Sequence, residues 1–302
     1  MYKKMLVVLD GSKLAEVVFT YAQELTARLG LCLELLQVCD PRDADQLPMR
    51  QAYMDHTAGI LQKNTAQLRS ESGVALDCET TVQGKVMVGY PAEEILKYID
   101  QNKIDLLMLS THGKSGIKSW NIGSVASQVI HAANIPIWIV PSELNEASIQ
   151  KNLQNKTMII PLDGSKIPEQ VIPYALSIAK QKESETEIVL IYVEDDPAIV
   201  TSQIQVKKAE EKRKAVQEYL DEVVARIYDS GVAARSEILA GKPANAIIEY
   251  IKYNPPQLIA MAAPRSGLSK MIYGSVTEHV LQLIKKTPLL LLPRGQKVNE
   301  KR

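Results

Sequence analysis

Apolar residues in this chain come in two alternating kinds of run. Short blocks that stay apolar over consecutive positions read as strands buried on both faces of a sheet. In the first half these are Lys4–Leu9, Leu31–Val38, Ala75–Gln83, Asp105–Ser110 and Pro136–Val140. Between them the apolar positions recur every three to four residues, which predicts helices over Leu14–Leu29, Met49–Ser70, Pro91–Asn102 and Ser124–Ala133. Gly30 and Gly73 stand where helix ends favour a left-handed residue, and Pro91 where a first helical turn accepts proline. Strict alternation of the two kinds predicts a parallel sheet with helices on both faces.

The second half repeats the order. Its strands are expected over Thr157–Leu162, Glu187–Val193, Ala234–Ala240, Gln257–Ala262 and Thr287–Leu292, and its helices over Ile167–Gln181, Ser202–Asp229, Pro243–Tyr253 and Ser275–Lys285. In the long helix Val216, Leu220, Val223, Val224 and Ile227 form one apolar stripe, and Lys207 to Lys214 a solvated charged face with pairs such as Glu210–Lys214. The repetition extends to motifs. Asp10-Gly11-Ser12 ends the first strand of one half and Asp163-Gly164-Ser165 that of the other, 153 residues on. Gly123-Ser124-Val125 and Gly274-Ser275-Val276 each open a helix, and Pro136 to Pro141 and Pro288 to Pro293 bracket the last strands. A period this long marks a duplicated domain rather than a solenoid unit. Domains are expected at 1–145 and 154–296, joined by a short polar stretch around Ser142–Asn155.

Composition narrows the picture. At 302 residues each half can bury its own core, and 35 basic residues balance 35 acidic ones, so no global field gathers nucleic acid or an anionic membrane. The basic tail from Gly295 to Arg302 reads as a solvated terminus. Cys32, Cys39 and Cys78 form no C-x-x-C pair and read as free thiols of a reducing compartment. The apolar run after Lys4 is too short for a signal peptide and no segment spans a bilayer, so a cytoplasmic protein is expected.

In such a fold ligands sit beyond the carboxyl ends of the strands, where strand order reverses. The loops there are Leu9 to Ser12, Val38 to Asp40 and Ser110 to Gly113, the last leading through Lys114–Ile122 to Gly123 to Ala126 at a helix start. Glycines admit a ligand close to the backbone, helix-start N–H groups suit phosphate oxygens, and a strand-tip aspartate can accept from a ribose hydroxyl or an exocyclic amine. On residue chemistry alone a second reading stands equally: Asp-Gly-Ser as a turn and helix cap, and Ser124 and Ser275 as N-caps. Gly113-Lys114-Ser115 is not a Walker A loop, since Met108 occupies the position that needs glycine, and neither first strand is followed by G-x-G-x-x-G. His56, His131 and His279 lack metal-ligand spacing; His112 alone lies in a ligand loop, without a nucleophile or orienting partner. Trp120 and Trp138 read as packing or interface residues.

These motifs resemble those of the universal stress protein family, once per half. Its nucleotide-binding members carry G-x2-G-x9-G-(S/T) after the fourth strand; here the first half has Ser110-x2-Gly113-x9-Gly123-Ser124. Asp10 matches the family's strand-one aspartate, and Val88 through Leu96 its Val-Gly-x-Pro-Ala-Glu-Glu-Ile-Leu segment. The resemblance implies two tandem doubly wound, Rossmann-like α/β domains with five-stranded sheets in the order 3-2-1-4-5. It also implies a pseudo-dimer through antiparallel fifth strands, Ile135–Val140 against Pro288–Leu292, with further homodimerisation open. It implies an adenine nucleotide (ATP, or ADP or AMP, accompanied by Mg²⁺) in the first half. Asp10 and Val38 would hold the adenosine end, Leu109, Ser110, His112 and Gly113 would line the loop, and Gly123, Ser124, Val125 and Ala126 would meet the phosphates, with Leu9 also in the site. Ser110 stands where the family has a glycine and Ala126 where members often have a hydroxyl.

In the second half the motif reads Met261-x2-Pro264-x9-Gly274-Ser275, and proline lacks an N–H. Asp163, Val193, Gly274, Ser275, Val276 and Thr277 therefore mark a degenerate second site, which Arg265 and Lys270 could compensate in charge. No catalytic residue and no metal site built from side chains alone is expected. The leading function is a stress-response protein with ATP as regulatory ligand and at most slow hydrolysis. The alternatives are a nucleotide-independent scaffold for protein partners and, against the absence of a pyrophosphate loop after strand one, an adenylyl-transfer enzyme.

Overall fold

The computed structural model describes residues 2–72, 80–113, 122–180, 186–194, 203–263 and 274–293. The expectations for Gly73, Cys78, Trp120, Pro264, Arg265, Lys270, the Lys114–Ile122 loop short of its last residue and the basic tail lie outside these residues.

In the first repeat the strands are β1 (Lys4–Leu9), β2 (Cys32–Cys39), β3 (Val82–Val88), β4 (Leu106–Ser110) and β5 (Ile137–Val140). The helices are α1 (Lys13–Glu16), α2 (Phe19–Leu29), α3 (Leu47–Ser72), α4 (Pro91–Asn102) and α5 (Ser124–Ala132). A further helix, α6 (Glu146–Gln154), precedes the second repeat of β6 (Thr157–Leu162), α7 (Lys166–Glu169), α8 (Ile172–Ala179), β7 (Glu187–Glu194), α9 (Gln203–Asp229), β8 (Ala233–Ala240), α10 (Pro243–Tyr253), β9 (Leu258–Ala263), α11 (Ser275–Leu283) and β10 (Leu289–Pro293).

Contacts divide the chain into two units: Met1–Gln150 together with the segment from Pro288, and Lys151–Thr287. The first unit's sheet runs β3-β2-β1-β4-β5-β10, parallel throughout except that β10 is antiparallel to β5. The register sets Leu289 against Ile139, Leu290 against Trp138 and Leu291 against Ile137. All six side chains are buried, so the last strand of the second repeat covers the apolar edge of β5. This is the expected pairing of fifth strands. The second unit's strands run β9-β6-β7-β8, all parallel, giving each repeat the predicted 3-2-1-4 order around its first strand.

Central strands form from consecutive apolar residues because helices cover both faces. In β1, Met5, Leu6 and Val7 are fully buried, and in β4 every residue is buried. α2 packs on α3 and α4 on α5. Helix ends follow local chemistry: Gly30 closes α2 at φ 64° and Lys103 closes α4 at φ 53°, both left-handed. In α9 the stripe of Val216, Leu220, Val223 and Ile227 is buried, Val224 is half-buried, Lys207 to Lys214 is exposed, and Lys214 approaches Glu218 at 3.8 Å.

The structure differs from expectation at the third strand, at one helix of each repeat and at the join. The third strand is Val82–Val88, not Ala75–Gln83; only the last two residues of that block fall in it. As an edge strand it buries little, and Gln83, Gly84 and Lys85 break the apolar run that the pattern sought. Its open edge is closed by glutamines of α3. Gln51 Oε1 accepts from Val86 N at 2.9 Å while its Nε2 donates to Gly84 O at 3.0 Å. Gln62 does the same for Val82 N at 2.7 Å and Thr80 O at 2.9 Å. Gly84 permits this approach, since a Cβ there would lie 2.6 Å from Met54 O. The Leu14–Leu29 helix is divided into α1 and α2 at Val17-Val18, two β-branched residues in succession, and the Ile167–Gln181 helix divides likewise into α7 and α8. The join contains α6, started by Asn145, whose Oδ1 accepts from Ser148 N at 2.9 Å, and anchored by buried Leu144 and Ile149.

Candidate functional site

The site of the first repeat is assembled at the carboxyl ends of β1, β2 and β4. After β1 the chain turns on Gly11, at φ +77°, where a Cβ would come 2.9 Å from Gln37 Nε2. Asp10 Oδ1 accepts from Ser12 N at 3.0 Å and Ser12 Oγ at 2.7 Å, and Ser12 Oγ accepts in turn from Ala15 N at 3.3 Å, capping α1. The turn-and-cap reading of Asp-Gly-Ser therefore holds. The second carboxylate oxygen lies beside Gly113: a Cβ there would come 1.9 Å from Asp10 Oδ2. Gly113 is thus a glycine for space, with the strand-one carboxylate lying against its backbone.

Ser110 is the last residue of β4, paired with Val140. Among the described residues Lys103 is the one non-glycine at positive φ, so serine stands here without backbone strain. Its hydroxyl donates to His112 O. His112 Nδ1 lies 3.1 Å from both Thr111 Oγ1 and Ser142 Oγ, while its Nε2 is buried and has no partner among the described residues. Thr111 N donates to Val140 O at 3.0 Å and Thr111 O accepts from Gly123 N at 2.8 Å, tying the loop to β5 and to the start of α5.

At that start Gly123, not Ser124, is the N-cap residue (φ −51°, ψ 147°), and it brings no side chain to cap the first-turn amides. Gly274 is the N-cap residue of α11 in the same way, which corrects the reading of Ser124 and Ser275 as caps. Uncapped first-turn N–H groups present partial positive charge to whatever lies before the helix.

Leu9, Asp10, Val38, Leu109, Ser110, His112, Gly113, Gly123, Ser124, Val125 and Ala126 all line one cleft of about 250 Å³. The structure brings every candidate residue of the first repeat together. It adds Ala15, Pro91, Ile95 and Thr111 to the walls. Pro91 and Ile95 lie in the Val88–Leu96 segment, whose repetition as Gly241-Lys242-Pro243-Ala244 was the available signal. The second repeat has its own cleft, again about 250 Å³, lined by Asp163, Val193, Gly274, Ser275, Val276 and Thr277 with Pro161, Tyr192 and Met261. Asp163 is exposed, and its Oδ1 accepts from Ser165 N at 2.8 Å.

Away from the cleft, ionisable pairs join α1 to α3 and α7 to α9. Burial pushes the Tyr53 hydroxyl, which donates to Glu16 at 2.6 Å, up to about 12. The second repeat keeps this pair as Tyr219 and Glu169 and adds Arg226 and Lys166 on the same carboxylate. Burial of Glu169 works against ionisation, but the two cations outweigh it and hold its pKa below the usual carboxylate value. No group of three His, Cys, Asp or Glu side chains capable of holding a metal occurs among the described residues. Nor is any described helix long and apolar enough to cross a membrane.

The Universal stress protein family model matches residues 1–141 and again 154–293. The chain is similar to Universal stress protein MJ0531 of Methanocaldococcus jannaschii, 31% identical over 156 residues covering 50% of this chain and 90% of that protein. It is similar over a longer span to Universal stress protein Mb2028c of Mycobacterium bovis, 20% identical over 229 residues, 72% of this chain and 71% of the other. Among solved structures, a universal stress protein from Archaeoglobus fulgidus shares the fold with a TM-score of 0.63 and 21% identity over 97% of this chain and 98% of its own. Two matches to one family model, each spanning one β-α repeat with its own cleft, make this chain a tandem member of the universal stress protein family.

Proposed function

We propose that the first repeat binds an adenine nucleotide, ATP foremost, as the regulatory ligand of a cytoplasmic stress-response protein. The observation that carries the proposal is the meeting of Asp10 and Gly113 in front of an uncapped helix. The strand-tip carboxylate lies against a glycine that has no room for a side chain, and the amides of Ser124, Val125 and Ala126 open α5 beside them without a side-chain cap. Such a site offers an acceptor at one end and helix-start donors at the other, which is the polarity of a nucleotide. Val38, Leu109 and Ile95 supply apolar walls for a base, and Asp10 the acceptor for a ribose hydroxyl or exocyclic amine. Mg²⁺ would arrive on the phosphates and be held chiefly by them. Ser110 fits the role of the family's glycine because its position asks for no positive φ.

The second cleft we read as degenerate: Met261 and Pro264 replace glycines of the motif, and proline contributes no N–H. Denaturing the purified protein and counting released adenine nucleotide tests both statements. About one per chain is expected, and two would overturn the reading of the second cleft. Calorimetry with ATP and Mg²⁺ on the emptied protein decides the first; absence of heat there would leave the scaffold reading in its place. Bound ligand should also raise stability by about 2.7 kcal/mol at a hundredfold excess over Kd.

A further inference from the structure

Thr111 and Ser142 form a buried hydroxyl pair behind the first cleft, only 7% and 6% exposed. Ser142 N donates to Thr111 Oγ1 at 3.0 Å, Thr111 Oγ1 donates to Ser142 Oγ at 3.2 Å, and both oxygens stand 3.1 Å from His112 Nδ1. Thr111 also holds Val140 through its N–H and Gly123 through its carbonyl. One residue thus fastens three things: the end of β5, the ring of His112 and the first residue before α5. The second repeat has none of this chemistry, since in register Thr111 and His112 become Ala262 and Ala263. The two repeats, alike in cleft size, differ in the fastening.

We infer that Thr111 and Ser142 are positioning residues that hold the Ser110–Gly113 loop against the start of α5 and so set the affinity of the first cleft for the phosphate part of its ligand. This rests on the nucleotide reading given above. The base end of the cleft is walled by Val38 of β2 and Ile95 of α4, which the fastening does not touch. Loss of either hydroxyl should therefore weaken ATP and leave adenosine nearly unchanged. A general loosening of the domain would weaken both alike.

The test is calorimetric titration of the full chain with ATP and Mg²⁺, and separately with adenosine, for the native protein, Thr111→Val, Ser142→Ala, the double variant and Thr111→Ser. Thr111→Val and Ser142→Ala are each expected to raise the ATP Kd about tenfold, the loss typical of one buried hydrogen bond. Adenosine should change less than about twofold. The double variant should be little worse than either single one, because both remove the same linkage. Thr111→Ser, which keeps the hydroxyl, should restore native affinity. If Thr111→Val fails to fold, Ser142→Ala carries the same test, since it keeps its backbone N–H to Thr111. Unchanged ATP affinity in folded variants, or equal losses for ATP and adenosine, overturns the inference while leaving nucleotide binding intact. A native chain that binds no ATP overturns both.

Discussion

The contact between Gly113 and Asp10 can be tested without any ligand. Replacing Gly113 by Ala places a Cβ 1.9 Å from Asp10 Oδ2 and 2.7 Å from its Cγ, well inside the 3.0 Å below which something must shift. Either the loop retreats or the aspartate rotates, and rotation gives up the two bonds its carboxylate accepts from Ser12. Overpacking of this kind costs roughly 1–3 kcal/mol, and the half-buried aspartate leaves part of the strain relievable, so about 2 kcal/mol is expected. For a unit of this size that lowers the melting temperature by roughly 4–8 °C. The decisive assay is a double-mutant cycle by thermal or urea unfolding with Gly113→Ala, Asp10→Ala and both. With the carboxylate gone, the added methyl group should cost less than about 0.5 kcal/mol, leaving a coupling of about 1.5 kcal/mol. If Gly113→Ala costs the same in both backgrounds, the steric argument is wrong, and with it the claim that this glycine is required for space.

Other outcomes follow from the same reasoning. Glu169 has a depressed folded-state pKa, so its ion pairs stabilise the protein above the ordinary value of 4.5 and that stability is lost as pH falls through the lower folded value. Arg226→Met should therefore cost about 1 kcal/mol at pH 7, discounted because the guanidinium is half exposed, and the gap to the native protein should close as pH falls below the ordinary carboxylate value; a gap independent of pH in urea melts would refute this. Gln51→Ala and Gln62→Ala should each cost about 1 kcal/mol, and the double variant should show concentration-dependent self-association by sedimentation. Sedimentation unchanged from native would mean that the glutamines do not guard the edge. Leu290→Asp puts a carboxylate opposite Trp138 in a fully buried pairing and should cost on the order of 4 kcal/mol. A loss under 1 kcal/mol in chemical denaturation would argue against the β5–β10 register.

Much of the fold was legible because central strands buried on both faces leave an unmistakable pattern, as in Met5 to Leu9 and Leu106 to Leu109. The third strand was not, because at a sheet edge burial no longer dictates sequence; Gln83, Gly84 and Lys85 of β3 are polar or glycine. The repeat itself held the answer: Ala233 to Ala240 before Gly241-Lys242-Pro243 maps onto the residues before Gly89-Tyr90-Pro91. Helix α6 was hidden by polarity, although Asn145 followed by Glu146 in the first turn is a start signal. For the site, glycines and strand tips named the cleft-lining residues, but sequence could not tell that Asp10 is shared between a turn and Gly113, nor that Gly123 rather than Ser124 caps α5. Thr111 and Ser142 escaped because their bonds join segments about thirty residues apart, and no local pattern announces a partner across that distance.

The placing of β10 in the first unit also bears on how the protein is made. β5 is complete at Val140, but the strand that covers it ends at Pro293, so roughly half of the chain must be synthesised in between. At about 5–20 residues per second that interval is roughly eight to thirty seconds. Throughout it Ile137, Trp138 and Ile139 form an apolar strand edge with no partner of its own chain yet available. The nascent first repeat is then an adhesive object, able to take the same strand from a neighbouring nascent chain on one polysome. Duplication brings the covering strand onto every chain, but it also sets a delay, during which dilution or a chaperone must keep neighbours apart.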